Sequence, residues 1–388
     1  MGKMPETMPH PLLQKLEKET DGILRTIREL VEIESPTTDT QACNRLASYL
    51  QGRLEDLGMI VKRIPAPDFG DHIAAEFPGD RPKDPGIFIL GHYDTVWPVG
   101  ELNKRPVSLE ENRMTGPGIY DMKSGIALAI HAIDYLKREN IPSKLPIRML
   151  WNSDEELGSP TSRSLIEAMA EKAKYVLVFE PGDLPGGEVN TFRKGVMEYQ
   201  IDVKGRSAHA GANHENGLNA NCELARQVLH LEALTDYQSG TTVNVGVING
   251  GTRSNVVAEY ARAKVDIRTA SAQETNRIQQ VLENFKPDRE GFELTVSRLK
   301  FRPPLERHAK VVELYHKARQ VARNLNLELP ERFSGGASDG NFTAAMGKPT
   351  LCGIGAVGDG AHAVHEFIAV DWIVKRMAII VGLLATLD

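Results

Sequence analysis

A mostly parallel α/β sheet, interrupted by an inserted α+β segment of ferredoxin-like order, is the fold class that the sequence predicts. Three observations lead there. Short apolar runs at 86–90, 147–151 and 175–179 alternate with helical segments, as in strands buried on both faces of a parallel sheet. From about 188 to 300 the pattern changes to alternating residues, with Met197, Tyr199 and Ile201 set against Val196, Glu198 and Gln200, which marks half-exposed strands. Beyond about 302 a helix, two Gly-rich loops, a strand and a last helix follow. The smaller segment is therefore inserted into the larger, giving domains of 1–187 with 302–388 and of 188–301.

In chain order, 11–33 and 41–57 read as amphipathic helices, the second closed by Gly58 as a C-cap,. Helical segments at 123–138 and 160–172 connect the three apolar strands. Each strand ends in polar residues: His92 and Asp94 after the first, Asp154-Glu155-Glu156 after the second, Glu180 after the third. Sites in open α/β sheets form at the carboxyl ends of strands. The insert reads as strand 196–203, helix 216–234, strands 241–248 and 256–268, helix 272–285 and strand 291–301, the β-α-β-β-α-β order. The remainder reads as helix 308–325, a Gly-rich loop at 334–340, strand 349–354, a second Gly-rich loop to His362 and helix 370–386.

At 388 residues with 41% hydrophobic content, the chain can bury two cores,. Its 46 basic against 52 acidic residues, a net charge of −6, form no basic stripe, which argues against a nucleic-acid partner,. The three cysteines, Cys43, Cys222 and Cys352, are scattered and form no CxxC pair, so neither a disulfide framework nor a thiolate metal site is supported,. No stretch approaches the about 18 apolar residues of a membrane span, and the N-terminus lacks a signal-peptide core. A cytoplasmic location without membrane contact is the expectation.

Five residues are candidate metal ligands: His92, Asp121, Glu156, Glu180 and His362, with Asp94 and Glu155 adjacent. Imidazole and carboxylate without thiolate suit zinc and other divalent first-row metals. Two of these positions have other readings. Asp121 stands where a loop enters an apolar helix, as an N-cap does, and the acidic triplet at 154–156 could open a helix.

The motifs Gly-His92-Tyr-Asp94-Thr, Gly-Ile-Tyr-Asp121-Met-Lys-Ser-Gly, Asp-Glu155-Glu156-Leu-Gly-Ser, Phe-Glu180-Pro, Gly205-Arg-Ser-Ala-His209-Ala-Gly and His362-Ala-Val-His365-Glu-Phe stand in order from about residue 85 onward. Jointly they resemble the M20 metallopeptidases, nearest the glutamate carboxypeptidase branch. The resemblance implies a zinc-peptidase catalytic domain with an inserted dimerisation or lid domain. It implies two divalent ions per subunit, zinc first and cobalt or manganese as alternatives. His92 and Glu180 would hold one and Glu156 and His362 the other, with Asp121 bridging. Glu155 would be the general base and Asp94 the carboxylate behind His92. His-x-Asp on a strand puts both side chains on one face.

Within the last motif His362 is preferred to His365, because the family places its ligand four residues before a Glu. In the insert, the resemblance makes His209 an oxyanion donor to the other subunit of a homodimer. It makes Asn255 and Arg268 substrate contacts; Arg suits bidentate capture of a carboxylate. Lys194 and Arg302 match substrate positions of the carboxypeptidase branch only. The activity implied is hydrolysis of an amide bond that releases a C-terminal amino acid, with glutamate a candidate, from a small peptide or N-acyl conjugate. An N-acyl-amino-acid deacylase or dipeptidase on the same scaffold is the near alternative, and a non-catalytic metal-binding homologue the remote one.

Overall fold

The three apolar runs lie side by side. In the computed structural model, which describes residues 10–388, strand Gly86–His92 pairs in parallel with Ile147–Asn152 on one side and Ala173–Val178 on the other. Every residue of Gly86–His92 is buried, as befits a strand covered on both faces. Thr350–Cys352 adds a fourth parallel member beyond Ala173–Val178. His72–Phe77 and Ile60–Ile64 extend the other flank in antiparallel fashion, and Val189–Arg193 with Glu331–Ser334 completes a sheet of eight strands. The α/β class is the observed one. Residues 1–9, where the sequence shows no signal-peptide core, lie outside the described residues.

Helices cover this sheet. Ser124–Arg138 buries eleven of its fifteen residues, and Ile373–Thr386 packs beside it with Met377, Ile380 and Leu384 in the same apolar core. Helix Thr40–Asp56 starts on Asp39, whose carboxylate accepts from Ala42 N at 2.9 Å, satisfying a donor that the first turn cannot,. Gly58 behind it has φ +74°, a conformation for which glycine carries no Cβ penalty,. The helix read over 11–33 is two helices, Pro11–Glu17 and Thr20–Glu32. Its polar middle, Glu17-Lys-Glu-Thr-Asp21, offers no apolar side chain to hold a continuous face at the junction,. Among the described residues no helix is long and apolar enough to cross a membrane.

Two compact units divide the chain. One comprises the described residues up to Phe192, Arg307–Phe333 and Ser338–Asp388; the other comprises Arg193–Glu306 with Ser334–Ala337. The second unit has a four-stranded antiparallel sheet in the order Thr242–Gly250, Tyr260–Thr269, Gly195–Lys204, Glu293–Arg302. Period-2 alternation sends Met197, Tyr199, Ile201 and Val203 inward to meet Leu224, Leu231, Ile278 and Leu282 of helices Ala220–Glu232 and Ala272–Glu283,. Helix Ala220–Glu232 begins four residues later than its sequence suggests, because Asn219 caps it through bonds from Asn221 N and Cys222 N.

Candidate metal centre

His92 is the last residue of its strand, Glu180 stands two residues beyond Val178, and Glu156 sits in the turn Glu155–Leu157 after Ile147–Asn152. Parallel strands thus deliver three side chains to one sheet edge. Asp121 comes from the segment Ile119–Lys123, entered through Gly118 at φ +73°. A Cβ at Gly118 would lie 2.5 Å from Thr95 Cγ2, so the turn needs glycine for space as well as for conformation,. Asp121 is not the cap of the following helix; Lys123 holds that position without a side-chain cap bond.

Two groups of potential ligands share one residue: His92, Asp121 and Glu180 in the first, and Asp121, Glu156 and His362 in the second, the ligand atoms of each lying within 4.8 Å of one another. His92 Nε2 is 3.1 Å from Asp121 Oδ1 and 3.6 Å from Glu180 Oε1. His362 Nε2 is 3.4 Å from Asp121 Oδ2 and 3.1 Å from Glu156 Oε2. The two oxygens of Asp121 therefore face different groups. His365 belongs to neither and lines a surface hollow with Arg113 and Thr115.

Behind His92, Nδ1 lies 3.1 Å from the Asp94 carbonyl oxygen and 3.4 Å from its carboxylate, which leaves Nε2 for the centre. Such a contact fixes the tautomer of a ligating imidazole. The buried Asp94 carboxylate also accepts from Glu155 N at 3.3 Å, Glu156 N at 3.2 Å and Thr37 Oγ1 at 2.7 Å. One residue thus orients His92 and the Glu155–Glu156 turn together. In the acidic triplet Asp154 has a separate task. Its fully buried side chain accepts from Thr161 N at 2.7 Å and from Ser162 N at 3.1 Å, bracing the entry to helix Arg163–Glu171.

The charge balance shows what this cluster needs. Burial pushes Glu156 up to about 7, against the hydrogen bond from His362 and with help from Asp121 and Glu155. Hydrogen bonds to Asp121 and Glu156 raise His362 to about 10. Burial opposes charge on His92, yet its bonds to Asp121 and Asp94 raise it well above the usual imidazole range. The confined carboxylates thus raise the proton affinity of both imidazoles and of Glu156, while Asp121 stays ionised between His92 and His362,. Two imidazoles and three carboxylates, in two groups that share the split Asp121 carboxylate, fit a pair of divalent ions, which would be held by neutral imidazoles and ionised carboxylates,.

The remaining predicted residues belong to the second unit. His209 is exposed, and its Nδ1 accepts from Gly211 N and Ala212 N at 3.1 Å each, so a neutral ring carries its proton on Nε2, a donor,. Asn255 is adjacent, its carbonyl accepting from Ala210 N at 3.0 Å. Arg268 and Arg302 both stand opposite Val196, on the strands either side of it, and so share one face of the sheet,. Arg268 makes a two-point pair with Asp266 at 2.7 and 2.9 Å. Arg302 is buried and Lys194 half-buried, the latter's N–H donating to Ser334 O at 3.0 Å.

Two braces have no signal in the sequence. Thr37 reaches Asp94 from 57 residues away. Asp339, buried in the Gly-rich loop, accepts from Asn152 Nδ2 at 2.5 Å and from Ser159 Oγ, and so ties that loop to both ends of the segment bearing Glu155 and Glu156. Both contacts are long-range, and nothing in the local pattern distinguishes such a Thr or Asp.

A three-carboxylate, two-histidine centre at the edge of a parallel sheet defines a class of metal-dependent hydrolases. The chain belongs to peptidase family M20/M25/M40, whose model matches residues 88–386. It is 30% identical over 375 residues to carboxypeptidase G2 of Pseudomonas sp. (strain RS-16), covering 94% of this chain and 89% of that protein. It is 28% identical to acetylornithine deacetylase of Myxococcus xanthus, covering 92% and 94%. In fold it is similar to an M20 family metallo-carboxypeptidase from Sulfolobus solfataricus, with a TM-score of 0.74 at 19% identity over 94% and 99%. The protein is a metallopeptidase or amidohydrolase of this family.

Proposed function

We propose that the protein is a two-metal carboxypeptidase that hydrolyses the amide bond of a C-terminal amino acid, glutamate foremost, in a small peptide or N-acyl conjugate. The observation that carries this reading is the split Asp121 carboxylate, one oxygen toward His92 and the other toward His362. His92, Asp121 and Glu180 would hold one divalent ion and Asp121, Glu156 and His362 the other, zinc first with cobalt or manganese as alternatives. A pair of ions there supplies Lewis acidity to the amide carbonyl and to a nucleophilic water. Glu155 accepts the water's proton and returns it to the departing nitrogen. Asp94 supports this by holding the Glu155 backbone and the His92 ring in one register.

Recognition of the free carboxylate is assigned to Arg268 and Arg302, two cationic side chains on one sheet face, with Lys194 and Asn255 as further contacts. The similarity to carboxypeptidase G2 supports this choice. The similarity to a deacetylase keeps release of an acyl group from an N-acyl amino acid as the second reading. The metal-loaded protein should be offered N-acyl and peptidyl amino acids that differ in the C-terminal residue, and the released amino acid identified. Preferential release of glutamate is the expected outcome. Turnover confined to N-acetyl or N-succinyl substrates, indifferent to the C-terminal residue, would transfer the protein to the deacylases.

A homodimer through the second unit completes the reading. Strand Thr242–Gly250 is a sheet edge with exposed Val247 and Ile248, near a helix with exposed Leu229, and such an edge can pair across a two-fold axis. His209 would then stabilise the oxyanion in the partner subunit's centre. Mixing inactive His209→Ala and Glu155→Ala chains in equal amounts should restore roughly a quarter of wild-type activity, since half of the dimers are hybrids with one intact site each. Verified hybrids without activity would remove His209 from the partner's reaction.

A further inference from the structure

Glu366 is 1% exposed, four residues beyond His362, and its carboxylate receives four donors. Oε1 accepts from Tyr120 N at 2.8 Å and Asp121 N at 3.1 Å. Oε2 accepts from Gly118 N at 2.9 Å and from Trp97 Nε1 at 2.9 Å. The Trp97 indole is covered by the Arg105 guanidinium at 4.0 Å, and Arg105 Nη1 donates to Val364 O at 3.0 Å in the loop that bears His362. Three separate stretches, 97–105, 118–121 and 362–366, thus meet on one carboxylate.

We propose that Glu366 is a positioning residue that sets the spacing between Asp121 and His362. This inference rests on the two-ion reading above. Asp121 lies in an irregular segment, and His362 sits in a loop at φ +61°. Regular structure fixes neither residue. The carboxylate supplies the missing constraint, because it gathers the N–H groups around Asp121 while its own chain position fixes the end of the His362 loop.

The chemistry demands glutamate here. All four partners are donors, so only an acceptor at both oxygens satisfies them. Glutamine is nearly isosteric, yet its amide NH₂ would face two N–H groups wherever it is placed. Glu366→Gln should therefore release either the 120–121 backbone or the Gly118 and Trp97 contacts, letting Asp121 drift from His362. Replacing groups that orient ligands typically costs about 10- to 100-fold in metal affinity.

The test is a Zn²⁺ titration of the metal-free protein against a chromophoric chelator, with thermal unfolding of the same metal-free samples. Wild type should take up two equivalents. Glu366→Gln should bind at least one equivalent about 10- to 100-fold more weakly, with little change in the unfolding midpoint of the metal-free chain. Glu366→Asp, which keeps both acceptors on a shorter stem, should recover part of the affinity. Wild type taking up fewer than two equivalents would sink the two-ion reading itself. Two equivalents in wild type with an unchanged Glu366→Gln isotherm would overturn only the role of Glu366. Failure of both variants to fold would also overturn it, by making the carboxylate a group that maintains the fold.

Discussion

Glu155→Gln should abolish most turnover, by about 10²- to 10⁴-fold, while leaving metal uptake at the wild-type level. Glu155 is buried, belongs to neither ligand group and presents its backbone N–H, not its side chain, to Asp94. Exchanging the carboxylate for an amide therefore removes the proton acceptor and spares the contact that holds the turn. The loss corresponds to about 3–5 kcal/mol of transition-state stabilisation. It should appear in kcat, because proton transfer belongs to the chemical step. Metal analysis of the same preparation decides the matter. Parallel loss of metal and activity would make Glu155 a ligand and leave the reaction without its assigned base.

Asp121→Ala should lose both ions, and His362→Ala only one. The difference follows from the split carboxylate: Asp121 stands in both ligand groups, while His362 stands in one. Removing a shared ligand leaves two donors in each group, too few for tight binding of a divalent ion by nitrogen and oxygen ligands. Native mass spectrometry on zinc-loaded samples would count the ions directly. One ion retained by Asp121→Ala at wild-type affinity would contradict the bridging arrangement. Activity should fall to background in Asp121→Ala, since both Lewis-acid positions empty together.

The sequence reveals the sheet where burial leaves a mark. Gly86–His92, Ile147–Asn152 and Ala173–Val178 are apolar because helices cover both faces, and that pressure is visible in the residues themselves,. Ile60–Ile64 carries no such mark: it is an edge strand, largely exposed, and reads as IVKRI. Ser108–Glu110, Arg113–Thr115 and Phe367–Ala369 are three residues each, too short for any period to show,. The candidate ligands are legible by type, since His and carboxylate at strand ends are conspicuous. Their sorting is less so. Asp154, Glu155 and Glu156 are neighbours of like chemistry, and only contacts beyond the triplet show that the first braces the entry to helix Arg163–Glu171 while the third joins His362. Thr37 and Asp339 act through partners far along the chain, where local pattern carries no information, and Glu366 marks a motif whose pattern does not disclose its contacts with Gly118, Tyr120 and Asp121.

The order of strands in the main sheet has a consequence for biosynthesis. Thr350–Cys352 lies between Ala173–Val178 and Val189–Arg193, so the interior of the sheet stays unfilled until the ribosome has passed residue 352. The Arg193–Glu306 segment, with its own sheet and core, is made earlier and is nearly contiguous in sequence. Domains generally fold as units during synthesis, whereas helix Ser124–Arg138 must wait for Ile373–Thr386 to cover it. His92, Asp121 and Glu180 emerge long before His362. The nascent chain thus exposes an acidic half-site whose last imidazole arrives only once residue 362 has been made.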